Sequence, residues 1–476
     1  MPSHPTSISK RSPNKLRQNE IWLECFYFTS LFSAALILFL VNLGKLPLLN
    51  FQEAIVAQVA KEMWQNLAIP SSWIFPTLWG EPYFGQPPLV HGLIAIAYQI
   101  FGINELTTRF PGALLGAVSV VLVYGIGREI FVVRFPALFS ALVYLTCLPV
   151  VRYSRLAMCD GPLLCFELLT IWAILRSRRD FRWSLVAGIG FGLMAMTQGM
   201  VSLQILMLTG VFLLWDTPRL LTFPYFLAGI VLGAAPALGW YAAQWFHYGQ
   251  LKTTADFINL FLGQISTVNS AEKLPLQYFL LQGIQFLLPW SIVAIAGLRS
   301  ATHHLHWGWG KLIVVWVLLY IPLALLVLNR ESWSILLLYP GLALAAGKQL
   351  DLIRNLPSYI KYPRSWTYGF ALMAVMAVFA GLYWGIHNYV DFYLPFISGS
   401  LAMTFGATAI VIAQQDRQFI PLLFWGLFIS IFLLVISPHW IWELNTSESI
   451  KPNARMILHY VPDKQIVSTS YNLTTQ

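Results

Sequence analysis

Charge is what this sequence has least of. Asp, Glu, Lys and Arg make up 10% of 476 residues, where soluble domains carry roughly 25%. Mean hydropathy is +0.65, so the polar surface is too small for a water-soluble enzyme, and a polytopic membrane protein is expected. Cysteine is scarce as well. Cys25, Cys147, Cys159 and Cys165 sit in or beside apolar runs without metal-ligand spacing and read as small buried side chains. No basic stripe with interleaved aromatics is present, so the net charge of +9 is not the footprint of nucleic acid. Nor do paired hydrophobic segments with matching breaks, or a midplane carboxylate pair, suggest ion-coupled transport. Glu167, the lone acid inside a span, is expected to face a polar partner. No cleavable leader precedes the first apolar run, which is too long for a signal core and is expected to be retained.

What is abundant is apolar sequence. The hydropathy pattern predicts an all-α integral membrane protein of thirteen spans over 26–43, 106–128, 133–151, 161–176, 183–198, 200–215, 221–246, 276–298, 311–328, 332–347, 366–387, 397–413 and 418–436. Most of the 29 basic residues then fall in short segments on the side of the N-terminus, including the run Arg176 to Arg182. By the positive-inside rule that side is cytoplasmic. Residues 88–102 are apolar but too few to cross, and counting them as a span would put that basic run outside. They read as an interfacial or re-entrant helix of the outer loop 44–105. The chain thus divides into a cytoplasmic tail (1–25), a membrane domain (26–436) with a second outer loop at 247–275, and a short outer tail (437–476). Trp22, Trp240, Trp307, Trp309 and Trp440 lie at span ends and read as headgroup-belt anchors. Glycines such as Gly188, Gly190 and Gly192 would let helices approach closely.

Polar residues collect on the outer side. The first loop offers Gln52, Glu53, Tyr83 and Gln86; Lys61 and Glu62 beside them read as solvent-facing. Arg152, Arg155 and Asp160 precede the fourth span, and Asp160, before Gly161-Pro162, reads as its N-cap. Gln198 lies between the fifth and sixth spans, Gln264 and Glu272 in the second loop, and Arg330 beyond the ninth span. Arginines suit a lipid phosphate in a cavity without bulk water. A carboxylate suits removal of a proton from an acceptor hydroxyl or amine.

Several motifs carry a resemblance: Pro47-Leu-Leu-Asn-Phe-Gln-Glu-Ala54, Gly80-Glu-Pro-Tyr-Phe-Gly-Gln-Pro-Pro-Leu89, Phe101-Gly-Ile-Asn-Glu105 with Arg109-Phe-Pro111, and Tyr124-Gly-Ile-Gly-Arg128. From about Leu38 to Gly347 the chain resembles bacterial GT-C membrane glycosyltransferases of the protein-mannosyltransferase and aminoarabinose-transferase type. The resemblance implies a GT-C fold in the bacterial inner membrane, with the active face outside. It also implies transfer of a sugar from a polyprenyl phosphate to an envelope lipid, glycan or protein. Glu53 and Asp160 would be the catalytic acids, Arg330, Arg155 and Arg152 the phosphate ligands, and Gln52, Tyr83, Gln86, Gln198, Gln264 and Glu272 substrate contacts. The chain departs from that pattern at four places. Gln52 stands where an aspartate is usual, Gly85-Gln86 where Glu-Lys is, Gln198 where a lysine is, and 264–272 lacks the usual histidine. A fold-conserving, non-catalytic protein that handles an isoprenoid-linked glycan is the alternative. No dedicated metal site is expected, at most a divalent cation recruited with the phosphate, and the protein is expected to act as a monomer.

Overall fold

The structure, a computed structural model, describes residues 13–49, 52–248, 281–327 apart from 282 and 284, 332–357, 361–387 and 392–441. The long apolar runs become α1 (Pro13–Leu40), α5 (Glu105–Ile130), α8 (Asp160–Ser177), α9 (Trp183–Ala195), α10 (Gly199–Asp216) and α11 (Pro224–Tyr248). They continue as α12 (Trp290–His303), α13 (Gly308–Val327), α14 (Tyr339–Arg354), α15 (Arg364–His387), α16 (Tyr393–Ala413) and α17 (Phe419–Ile436). Seven described helices are long and apolar enough to cross a membrane, or up to eight if one bent pair counts as a span. This is a multi-pass membrane architecture.

The bent pair is α6 (Arg134–Leu145) with α7 (Leu148–Arg155), which meet at 60°. Their boundary differs from the single span expected over 133–151. Pro149, near the start of α7, has no N–H to continue the ladder of α6, and the chain breaks at the extended Cys147 that caps α7. A second difference lies at 332–347, where Ser332–Leu338 is a 3-10 turn and the helix proper starts at Tyr339.

The first loop is built of α2 (Gln52–Gln65), the short α3 (Pro70–Ile74), a two-stranded hairpin of β1 (Thr77–Leu78) and β2 (Glu81–Pro82), and α4 (Leu89–Phe101). The register pairs Thr77 with Pro82 and Leu78 with Glu81. At 13 residues, α4 is about 20 Å long, short of the ~30 Å of a hydrocarbon core. The hairpin tip is shaped by Glu62, whose carboxylate accepts from Thr77 Oγ1 at 2.5 Å, Trp79 N at 2.6 Å and Gln58 Nε2 at 2.8 Å. It holds Trp79 at φ +54, so Glu62 organises the loop and is not the free surface charge its neighbours suggested.

Helix α5 is the hub, packing on α1, α4, α6, α7 and α8. A capping box of Asn104 and Thr107 starts it. Beyond α8, α9 and α11 run in backbone contact: a Cβ on Gly188 would lie 1.9 Å from Gly229 O, and one on Gly192 2.0 Å from Gly233 O.

Candidate functional site

One end of the bundle gathers ion pairs: Glu24 binds Arg128 and Arg134, Arg134 also meets Glu20, and Asp216 binds Arg178 and Lys311. The end of α1, the starts of α5 and α8 and the end of α17 meet at the other end, and the buried charges of the candidate site lie there.

Glu53, in the first turn of α2, is fully buried. Its Oε1 accepts from Arg109 Nε at 2.8 Å and Ala157 N at 2.7 Å. Its Oε2 accepts from Arg109 Nη2 at 2.6 Å and Leu49 N at 2.8 Å. Arg109, equally buried, lies one turn inside α5 and donates further to Leu43 O, Leu46 O and Pro47 O, each at 2.9 Å. This fork-to-fork pair ties the chain leaving α1 to α2, α5 and the segment before α8. Neither a solvent-facing charge nor a base open to an acceptor describes Glu53. Arg109 is the partner that reading by motif alone missed; its signal is a charge within an apolar helix, which demands one.

Arg155, at the end of α7, is buried and donates from Nη1 to Leu38 O at 2.6 Å and Phe39 O at 3.1 Å. It thereby caps the carbonyls at the C-terminus of α1. Its Nε and Nη2, the bidentate edge, have no partner among the described residues. Arg152 is buried nearby, with its guanidinium 5.6 Å from the Tyr153 ring. Asp160 is buried in the first turn of α8, where the helix dipole favours an anion. The cap position belongs to Cys159, which makes no side-chain cap bond, so the N-cap expectation for Asp160 is off by one residue.

Gln86 accepts from Cys159 Sγ at 2.9 Å, which brings the Gln86-Pro-Pro turn against the start of α8. Tyr83 is half-buried, 5.5 Å edge-on from the His91 ring, and a Cβ on Gly85 would meet its Oη at 2.6 Å. Burial pushes the Tyr83 phenol above its ordinary value, leaving a neutral hydroxyl. Gln52 is the first residue of α2, and Gln198 precedes α10 with a buried Oε1 that has no partner among the described residues. Arg330, Gln264 and Glu272 lie outside the described residues, as does the tail beyond 441. Glu167 is fully buried, and neither oxygen makes a hydrogen bond among the described residues, although the phenols of Tyr144 and Tyr320 lie within electrostatic reach. No group of three or more His, Cys, Asp or Glu able to hold a metal occurs among the described residues.

A family model described as dolichyl-phosphate-mannose-protein mannosyltransferase matches residues 85–240, the stretch from the Gln86 turn through α11. Among solved structures, ArnT from Cupriavidus metallidurans bound to undecaprenyl phosphate matches with a TM-score of 0.72 at 17% identity, over 89% of this chain and 79% of that one. The chain has an ArnT-like GT-C fold. The archaeal oligosaccharyltransferase AglB from Archaeoglobus fulgidus, in complex with an inhibitory peptide and a dolichol-phosphate, matches more loosely: TM-score 0.52 and 13% identity, over 95% of this chain and 62% of that one. The undecaprenyl phosphate-alpha-4-amino-4-deoxy-L-arabinose arabinosyl transferase of Aeromonas salmonicida is 24% identical over 72% of this chain and 64% of its own length. Transferase 1 of that name from Pseudomonas fluorescens is 26% identical over 58% of this chain and 50% of its own length. The ArnT-like chain thus spans about half to two thirds of these curated relatives.

Proposed function

We propose that this ArnT-like protein is a glycosyltransferase that moves a sugar from a polyprenyl phosphate to an acceptor of the bacterial envelope. The observation that carries the reading is the likeness of fold, over 89% of the chain, to a protein holding undecaprenyl phosphate. The buried Arg152, Arg155 and Asp160 at one end of the bundle supply fitting chemistry. In this reading Arg152 and Arg155, with Arg330, hold the donor phosphate, and Asp160 takes the proton from the acceptor hydroxyl or amine. The acceptor atom bonds the anomeric carbon as the bond from that carbon to the phosphate oxygen breaks. The bonding pair leaves with the phosphate, giving inversion in one displacement. Glu53 serves the acceptor side indirectly, by fixing through Ala157 the segment that ends in Asp160. Gln52, Tyr83, Gln86, Gln198, Gln264 and Glu272 line the substrate path. Thirteen spans, a cytoplasmic N-terminus, an outer active face and a monomeric state complete the proposal, with no metal beyond one recruited by the phosphate.

The saturation of Glu53 favours one second reading, an isoprenoid-phosphate binder that does not catalyse. The purified protein, supplied with labelled undecaprenyl-phosphate sugars and envelope extract, separates the two. Transfer by the wild type that is lost in Asp160→Asn, with undecaprenyl phosphate still bound, supports the enzyme. Binding without transfer supports the second reading, and no binding removes both.

A further inference from the structure

Trp440 does not behave as a headgroup anchor. It sits in the 3-10 turn Pro438–Trp440 that follows α17, and it is 2% exposed. Its ring lies 4.3 Å from the Arg155 guanidinium carbon and 5.2 Å from that of Arg109. Around it cluster Leu49 of the first loop, Leu156 and Met158 of the segment before Asp160, and Ile441. The end of α17 is locked to the end of α1 by Asn42, held at φ +59, whose Nδ2 donates to Val435 O at 3.2 Å and Ile436 O at 2.7 Å.

The indole Nε1 is buried without a partner among the described residues. Burying an unpaired donor is unfavourable, so hydrogen bonding does not explain a tryptophan here. Stacking on cations does, since tryptophan gives the strongest cation–π face. Arg155 needs such support: two backbone carbonyls hold Nη1, the carboxylate of Glu53 is committed to Arg109, and the Nε–Nη2 edge has no partner among the described residues.

We propose that Trp440 is a positioning residue, which holds the Arg155 guanidinium so that its free edge meets the phosphate of a lipid donor. Through it, the chain beyond the last helix is coupled to the segment ending at Asp160. The proposal rests on the phosphate role of Arg155 given above. Titration of the full chain in nanodiscs with undecaprenyl phosphate tests it, with hydrogen exchange of residues 156–160 measured in parallel. Trp440→Phe, which keeps a π face, is expected to bind within about twofold of wild type, and Trp440→Leu about three- to tenfold more weakly. In an Arg155→Gln background, Trp440→Leu is expected to weaken binding no further. Wild-type affinity in Trp440→Leu overturns the proposal, as does an equal loss with and without Arg155. If the wild type binds no undecaprenyl phosphate, the donor reading fails, and exchange decides positioning alone. Faster exchange at 156–160 in Trp440→Leu, restored in Trp440→Phe, supports it, and unchanged exchange refutes it.

Discussion

Replacing Glu53 by glutamine separates a clamp from a base. The side chain keeps its shape, but one of two acceptor oxygens becomes an NH2 group. Whichever way the amide turns, it faces either Arg109 Nε and Ala157 N or Arg109 Nη2 and Leu49 N, all donors. Two buried N–H groups lose their acceptor, and the Arg109 charge loses its counterion with no solvent to replace it. Breaking one side of a buried pair costs about 3–5 kcal/mol, a large part of the ~5–15 kcal/mol that holds a typical domain. The melting temperature, followed by tryptophan fluorescence in detergent, should fall by about 3–5 °C. Glu81→Gln, an exposed control on the hairpin, should leave it unchanged. Adding Arg109→Met should recover only part of the loss. It removes the stranded charge but leaves Leu43 O, Leu46 O and Pro47 O without their donor. A Glu53→Gln protein that melts within a degree of wild type yet has lost sugar transfer would refute the clamp and restore Glu53 as a base.

Three further outcomes follow from the loops and the helix contacts. His91 is buried in α4, and burial pushes its imidazole down to about 4. The unfolded chain therefore binds the extra proton first, and up to about 3 kcal/mol of stability is lost as pH falls from 6.5 towards 4. His91→Phe should flatten that part of a melting-temperature profile, and an unchanged slope would rule His91 out. Glu62 is lowered in turn, against the opposing effect of burial, by its bonds to Thr77, Gln58, Trp79 and Gly80. Its contribution is present above about 4.5 and fades as pH falls through the lower folded value, so Glu62→Gln should remove only that more acidic limb. Gly188→Ala should destabilise by about 1–3 kcal/mol, because its Cβ would lie 1.9 Å from Gly229 O and the two helix backbones must part. A melting temperature equal to wild type would mean that α9 and α11 are not held this closely.

The positions of most helices were legible because hydropathy accumulates over twenty residues, while seven or at most eight of the described helices are long and apolar enough to cross a membrane. The break between α6 and α7 was not anticipated although Pro149 announces it, since the run on either side stays apolar and outweighs one residue in a window average. Among the candidate residues, Arg152, Arg155 and Asp160 could be named from residue type and position, and the structure buries all three. The closure of Glu53 could not, because its partners Arg109 and Ala157 lie 56 and 104 residues away, and no local pattern encodes such a pairing. Trp440 misled for a related reason. An aromatic residue at a span end is usually an interfacial anchor, and only the fold shows that this turn closes back over two arginines.

The surplus of positive charge at this end has a cause in the backbone. Chain leaving a helix in a dry setting exposes carbonyls that no water can satisfy. Here Arg155 supplies donors to Leu38 O and Phe39 O, and Arg109 to Leu43 O, Leu46 O and Pro47 O. A neutral donor such as asparagine meets the same need at the end of α17, where Asn42 does so. The two guanidiniums of Arg109 and Arg155 lie close enough to repel, and Asp160 is the other buried acid at this end. Arg109 takes the carboxylate of Glu53 with two nitrogens of its guanidinium, and the Nε–Nη2 edge of Arg155 has no partner among the described residues. In the proposed reading, the phosphate of a lipid donor is the anion that would meet this edge. The same donors that let the first loop leave its helix would then hold the donor substrate in place.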